Sequence, residues 1–181
     1  MGQSGWTNQT SSSEYPGLFG ICAIDAAHIW AVGYDYDYDE KIADEMVIRS
    51  TSGGDSWDVI NTGFHERLTG VVFINRDTGF IYGQAADDDP FIIRTLDAGL
   101  NWQRLDIQAS VTTTVNEIDF YYSGSKDSIF MFAAGGLGHV WKSKDLGDSW
   151  TVLSGGCRNG NFNACSMINE DTCWFVGTPD A

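Results

Sequence analysis

The chain has 181 residues, 43% of them hydrophobic, with 7 Trp, 7 Tyr and 10 Phe; this is the composition of a globular, β-leaning domain and excludes a disordered chain. Its 25 acids against 10 Lys plus Arg give a net charge of −15, which repels phosphate backbones and anionic lipid and so excludes nucleic acid as a partner. No apolar run reaches the roughly 18 residues of a membrane span, and Met1-Gly2-Gln3-Ser4-Gly5-Trp6 has neither the basic region nor the apolar core of a signal peptide.

Taken in order, residues 5–10, with Trp6-Thr7-Asn8-Gln9, read as a strand like the later Trp150-Thr151-Val152-Leu153, and 11–16 as a connection. Alternating β-branched and aromatic runs then predict strands in sets of four. The first set is Leu18–Ile24, His28–Tyr34, Met46–Ser50 and Trp57–Ile60. The second is Leu68–Ile74, Gly79–Gly83, Phe91–Thr95 and Trp102–Ile107. The third is Val115–Tyr121, Ile129–Ala134, His139–Ser143 and Trp150–Leu153, and a fourth begins with Asn163–Ile168 and Cys173–Gly177. A polar turn joins the first two strands of each set, and no helix of useful length is written anywhere.

Between the third and fourth strands one stretch recurs. It reads Ser50-Thr51-Ser52-Gly53-Gly54-Asp55-Ser56-Trp57, then Thr95-Leu96-Asp97-Ala98-Gly99-Leu100-Asn101-Trp102, then Ser143-Lys144-Asp145-Leu146-Gly147-Asp148-Ser149-Trp150. A basic residue precedes each copy: Arg49, Arg94, Lys142. The carboxylate and the hydroxyl can accept backbone N–H groups and close a tight turn, Gly can supply positive φ, and Trp can plug the gap beneath. Ser52 replaces the acid in the first copy, which predicts a looser turn there. Trp57, Trp102 and Trp150 stand 45 and 48 residues apart. Four antiparallel strands at that period are the blade of a β-propeller. The expected fold is all-β, one domain over 1–181, with blades over 17–62, 63–108 and 112–155 and a partial one over 159–181. Residues 5–10 supply a strand to close the last blade. A small irregular ring, a piece of a larger ring and a chain completed by self-association with a second copy all fit, and the piece of a larger ring is the reading adopted.

The four cysteines, Cys22, Cys157, Cys165 and Cys173, match no zinc spacing. Cys157–Cys173 invites a disulfide; the simpler reading makes Cys22, Cys165 and Cys173 small buried strand residues. Asn8-Gln9-Thr10 is a glycosylation sequon. His28 and His139 read as core or strand-edge residues, and with G-x-S-x-G absent no catalytic residue is nominated.

Function is sought in the connections between second and third strands, which emerge opposite the repeated turns. From the Gly closing strand two to the turn Trp, this stretch spans 24 residues (33 to 57), 19 (83 to 102) and 15 (135 to 150). The tightest, Gly135-Gly136-Leu137-Gly138, is a bare hairpin, so the first two carry insertions on a common face. Both are acidic: the first holds Asp35, Asp37, Asp39, Glu40, Asp44 and Glu45, the second Asp87, Asp88 and Asp89, nine of the 25 acids. An extended run over 34–39 would put Tyr34, Tyr36 and Tyr38 on one side and Asp35, Asp37 and Asp39 on the other. The aromatic side would suit a sugar or basic side chains, and the three Asp are weak candidates for calcium, since the EF-hand pattern fails at Glu40 and Met46. No other cofactor is expected. The competing reading is a solvated hairpin whose charges discourage sheet pairing.

The three copies of the turn resemble the Asp-box, or BNR, repeat of sialidase-like propellers. The unit running from Trp57 through Leu68–Phe73 and Gly79–Gly83 to Trp102 looks most like the photosystem II stability and assembly factor type. Similar repeats occur in sortilin-type receptors and xyloglucan-cleaving glycoside hydrolases. The resemblance implies a structural turn at Ser50, Gly54, Trp57, Thr95, Asp97, Gly99, Trp102, Ser143, Asp145, Gly147 and Trp150, remote from any active face. It carries over no catalytic residue. The Arg-Ile-Pro motif of sialidases is absent, which argues against that activity, and the acidic charge departs from the basic partner face of the assembly factors. The expectation is a non-catalytic, extracytoplasmic or secreted binding module for a protein or glycan, using the face opposite the turns. The alternative is a fragment of a glycoside hydrolase acting through paired carboxylates.

Overall fold

The computed structural model describes residues 17–37, 42–108, 112–124, 129–153 and 160–179, excepting the side chains at 36, 37, 42 and 43. The expected strand over 5–10 and Cys157 lie outside the described residues. The first sheet runs β1 (Leu18–Ala23), β2 (Ile29–Asp37), β3 (Ile42–Ser50) and β4 (Asp58–Val59). The second holds β5 (Arg67–Phe73), β6 (Gly79–Gln84), β7 (Pro90–Thr95) and β8 (Gln103–Arg104). The third holds β9 (Val115–Tyr122), β10 (Ile129–Gly135), β11 (Val140–Ser143) and β12 (Thr151–Leu153), and β13 (Asn161–Asn169) pairs with β14 (Thr172–Thr178). Strands neighbour one another in chain order and antiparallel throughout, the up-and-down order of propeller blades.

Each inner strand packs on the first two strands of the sheet before it: β5 on β1 and β2, β9 on β5 and β6, β13 on β9 and β10. Two cores fill the gaps. Trp30, Val32, Leu68, Val71, Phe73, Ile81 and Phe91 lie between the first two sheets, and Phe80, Tyr82, Ile92, Ile118, Met131 and Trp141 between the second and third. Full burial of each such side chain stabilises the fold by roughly 1.5–3 kcal/mol. The inner strands come together backbone to backbone: a Cβ on Gly20 would lie 2.6 Å from the Gly70 Cα. The equivalent place in β9 is taken by Glu117, whose carboxylate reaches the Tyr82 hydroxyl.

All four inner strands carry a bulge at the same place, at Phe19, Thr69, Asn116 and Asn163. Two of these side chains stitch one sheet to the next. Thr69 Oγ1 donates to the Val115 carbonyl (2.9 Å) and Asn116 Nδ2 to the Phe162 carbonyl (2.7 Å), equivalent acceptors one sheet on.

Three expectations need correction. The fourth strands are shorter than Trp57–Ile60 and Trp102–Ile107, each ending in one further backbone bond, from Ile60 to the Val47 carbonyl and from Leu105 to the Ile92 carbonyl. The first insertion is largely ladder, with Tyr34–Asp37 paired to Ile42–Glu45. The bare hairpin at Gly135–Gly138 contains a 3-10 turn with Leu137 at φ +53°.

Candidate functional site

The molecule has two unlike faces. On one lie the repeated turns. Thr95 Oγ1 accepts the N–H groups of Gly99 (2.8 Å) and Asp97 (3.3 Å), and Asp97 accepts the Asn101 N–H (2.8 Å) and Nδ2 (2.7 Å). Ser143 and Asp145 do the same, taking the N–H of Gly147 (2.9 Å) and of Ser149 (2.9 Å). Two consecutive residues take positive φ in each copy: Gly53 and Gly54, Ala98 and Gly99, Leu146 and Gly147. A Cβ on Gly99 would meet the Trp30 ring at 2.4 Å, so the position needs glycine twice over. In the first copy Ser52 Oγ accepts the Ser56 N–H at 3.0 Å and Ser50 Oγ the Gly54 N–H at 2.8 Å. The backbone contacts are thus those of the other copies, and the expected loosening is not seen in these bonds.

Trp57, Trp102 and Trp150 are half-buried. Trp102 meets Trp30 edge-on at 6.0 Å between the first two sheets, and Trp150 packs one interface further on. Both Nε1 groups are buried with no hydrogen-bond partner among the described residues. The basic residues before the turns are the second set of stitches. Arg49 donates to the Ala98 carbonyl (3.1 Å), Arg94 to the Leu146 carbonyl (2.8 Å), and Lys142 to the Glu170 carbonyl (2.7 Å). Arg94 also pairs with Asp148 at 2.8 Å while itself buried. Their recurrence before every copy was the available sequence signal, although it did not say where they reach.

Asp25, Asp97 and Asp145 on this face are well-bonded anions. Hydrogen bonds from His28, Ala27 and Arg76 hold Asp25 far below the usual carboxylate range. Asn101 lowers Asp97, and hydrogen bonds from Ser149 and Ser143 outweigh partial burial to lower Asp145. His28 and His139 are strand-edge residues, the first bonded to Asp25 (2.8 Å), the second stacked on Trp141 (5.4 Å).

The opposite face carries the insertions. Tyr34 is half-buried with its ring 5.0 Å from Phe19, so it is partly spent on packing; Asp35 is exposed, directly across the ladder from Asp44. Tyr36 and Asp37 end β2, their side chains outside the described set, as are Tyr38 and Asp39 altogether. Among the described residues no three His, Cys, Asp or Glu side chains assemble into a metal site. The second insertion is a compact turn. Asp88, at φ +67°, pairs with Arg67 at 2.5 Å, and Asp87 Oδ1 accepts the Asp89 N–H at 3.4 Å. Beside it opens a cleft of about 390 Å³, lined by Asp89, Pro90, Arg104, Leu105, Asp106 and Ile107. The two insertions stand on successive sheets of one face.

Two carboxyls near this face contrast with those on the other. Glu45 accepts Thr62 Oγ1 (2.6 Å) and N–H (3.1 Å), yet burial pushes its pKa up. Glu117 is also raised by burial, with Asp119 adding to the shift, and Tyr82 beside it is raised well above its usual value. Nothing in their sequence neighbourhood marked either as half-buried. Among the described residues Cys22, Cys165 and Cys173 are half-buried and make no disulfide with one another; Cys157, the partner weighed for Cys173, lies outside them, and burial pushes Cys173 up to about 11 and raises the other two.

The stitched row of four-stranded antiparallel sheets defines a β-propeller. Among solved structures the chain is similar to the photosystem II assembly factor YCF48 bound to D1 peptide, with 18% identity and a TM-score of 0.60 over 82% of this chain and 42% of that one. It is similar to YCF48 from Cyanidioschyzon merolae (20%, 0.50, 75% and 36%) and to a GH74 enzyme from Niastella koreensis (16%, 0.58, 83% and 24%). These are two of the propeller types that the repeats resemble, and at such identities the likeness is one of fold. The chain spans less than half the length of each. No protein-family model matches the chain, and no curated protein matches it.

Proposed function

We propose that this chain is a non-catalytic binding module that takes a protein segment bearing basic side chains on the face opposite the repeated turns. One observation carries the reading. What differs between the sheets is concentrated on that face and is acidic: Asp35, Asp44, Asp87 and Asp89 are exposed there, with Asp89 and Asp106 on the cleft. Loops held on a rigid scaffold are where recognition is usually built. The peptide held by one YCF48 structure lends support to a protein ligand over a glycan. Carboxylates around a cleft favour Lys and Arg by charge, and such contacts weaken with salt. A pull-down with basic and acidic peptide libraries tests this. Enrichment of basic peptides, lost in Asp87→Asn/Asp89→Asn, is expected, and equal capture of both libraries would overturn it.

A second reading is favoured by Glu117, raised in pKa beside Asp119, together with the GH74 neighbour: a glycoside hydrolase fragment using paired carboxylates. Asp119 argues against it, since both its oxygens accept backbone N–H groups, of Phe120 (2.8 Å) and Met167 (2.7 Å). Turnover of xyloglucan-type oligosaccharides at any pH from 4 to 8 would favour it.

A further inference from the structure

We propose, resting on the binding reading above, that the cleft beside the second insertion selects a segment of mixed charge: a Lys or Arg with an acidic side chain two residues away, whose carboxylate is taken by Arg104.

A cation stands among the acids of the cleft. Asp89, Arg104 and Asp106 line it together with Pro90, Leu105 and Ile107, around about 390 Å³. Pro90, Leu105 and Ile107 are buried, whereas Asp89, Arg104 and Asp106 are exposed. The cleft is therefore an apolar floor edged by two negative charges and one positive charge. A segment that carried basic side chains alone would leave the positive charge unanswered, or meet it as a like charge.

Arg104 is held in place without being used up. Its guanidinium lies over the Phe91 ring at 5.2 Å, and Nη1 stands 3.7 Å from Glu66 Oε1. Glu66 is fixed in turn, its other oxygen accepting the Ala86 N–H at 2.6 Å. A separation of 3.7 Å orients the charge but is too long for a hydrogen bond. Arg49, Arg67, Arg76 and Arg94 each donate to a carbonyl or a carboxylate. Arg104 is 44% exposed and donates to no group among the described residues. A planar fork steadied by packing, with its donors unspent, takes a carboxylate at a small cost in side-chain entropy.

The spacing follows from the strand. Arg104 and Asp106 alternate with buried Leu105 and Ile107, and the Leu105 N–H carries the ladder on to the Ile92 carbonyl at 2.9 Å. The two charges thus leave one side of an extended chain, about 7 Å apart. An extended ligand laid along them has the same repeat, its side chains at alternate positions sharing one side. A base set against Asp106 puts the residue two away against Arg104.

Isothermal titration calorimetry with end-blocked peptides tests this, so that a side chain supplies the only carboxylate. Otherwise uncharged peptides carry Lys-Ala-Glu, Lys-Ala-Gln or Gln-Ala-Gln, each made in both orders. The better order of Lys-Ala-Glu should bind about tenfold more tightly than Lys-Ala-Gln. Arg104→Gln should remove that difference by weakening the acid-bearing peptide alone. Its side chain lies at the surface, so the variant should keep the native circular dichroism. Equal affinity for Lys-Ala-Glu and Lys-Ala-Gln in both orders overturns the proposal and leaves the binding reading standing. A preference for the acid that survives Arg104→Gln overturns it too. Gln-Ala-Gln binding as tightly as Lys-Ala-Gln, or no binding by any peptide, overturns the binding reading and this proposal with it.

Discussion

The turn face and the insertion face are built on the same strands, yet they treat carboxylates in opposite ways. On the turn face, Asp25, Asp97 and Asp145 accept several hydrogen bonds each, and their pKa values fall. Toward the insertion face, Glu45 and Glu117 are half-buried, and the loss of water outweighs their hydrogen bonds from Thr62 and Tyr82, so their values rise. The first face spends Asp97 and Asp145 on closing their own turns and Asp25 on a bond to Arg76 of the next sheet. The second keeps Glu45 and Glu117, whose values are raised, and the exposed Asp35, Asp44, Asp87 and Asp89 beside the paired Asp88, which is the pattern of a surface shaped for something other than folding.

The largest expected effect breaks the turn face. Gly99→Ala sets a side chain at φ +81° and within 2.4 Å of the Trp30 ring, a clash with a buried indole that has nowhere to move. Left-handed strain and overpacking together should cost about 2–4 kcal/mol, read from urea denaturation. Asp87→Asn on the other face serves as the control. Next comes the stitch. Arg94→Met removes the bonds to the Leu146 carbonyl, Gln103 and Asp148 from a side chain 7% exposed, for about 2–4 kcal/mol. Arg49→Met, at a site 25% exposed with a longer ion pair of 3.5 Å, should cost about 1–2 kcal/mol. Equal losses at the two would show that the stitches are not graded by burial.

Acid titration sharpens the comparison because the two faces have opposite signs. Glu117 folds with a pKa above 4.5, so between 4.5 and that raised value the native state holds a proton the unfolded chain has lost. Its favourable contribution is full below 4.5 and is lost as pH rises through the folded value. Glu117→Gln should therefore raise the melting temperature at pH 7 by a few degrees, and the gain should vanish by about pH 4. Asp97 and Asp145 contribute above 3.8 and lose that contribution as pH falls through their lowered values. Asp145→Asn should accordingly destabilise at pH 7 and become neutral in strong acid. Two curves of the same sign would end the distinction between the faces.

Much of the fold was legible because its causes are local. The Thr95 hydroxyl, the Asp97 carboxylate and Gly99 act on residues at most four away, so their spacing alone specified the turn. The inner strands were legible for the same reason, as alternating runs of fixed length. The stitches were not. Arg94 and Leu146 are 52 residues apart, and only packed sheets bring the guanidinium to that carbonyl. The bulge at Thr69 and Asn116 carried no signal either, since one position holds Phe, Thr or Asn in different sheets. At the candidate site, sequence located the insertions and their charge. It did not show that Tyr34 packs on Phe19 or that Asp88 is held by Arg67, because the register of β1 on β2 and the path of the turn after β6 decide which side chains meet.

The smallest expected effect belongs to the insertion face itself. Asp87 and Asp89 are exposed, and the one hydrogen bond between them is a long 3.4 Å contact within the turn. Surface substitutions of this kind change stability by at most about 0.5 kcal/mol. Asp87→Asn/Asp89→Asn should therefore leave the urea midpoint nearly unmoved while flattening the salt dependence of binding to a basic peptide, since fewer charges remain to be screened. The two readouts must separate. A loss of stability as large as that of Arg49→Met, with binding intact, would make these acids part of the scaffold and leave the molecule without a face free for a partner.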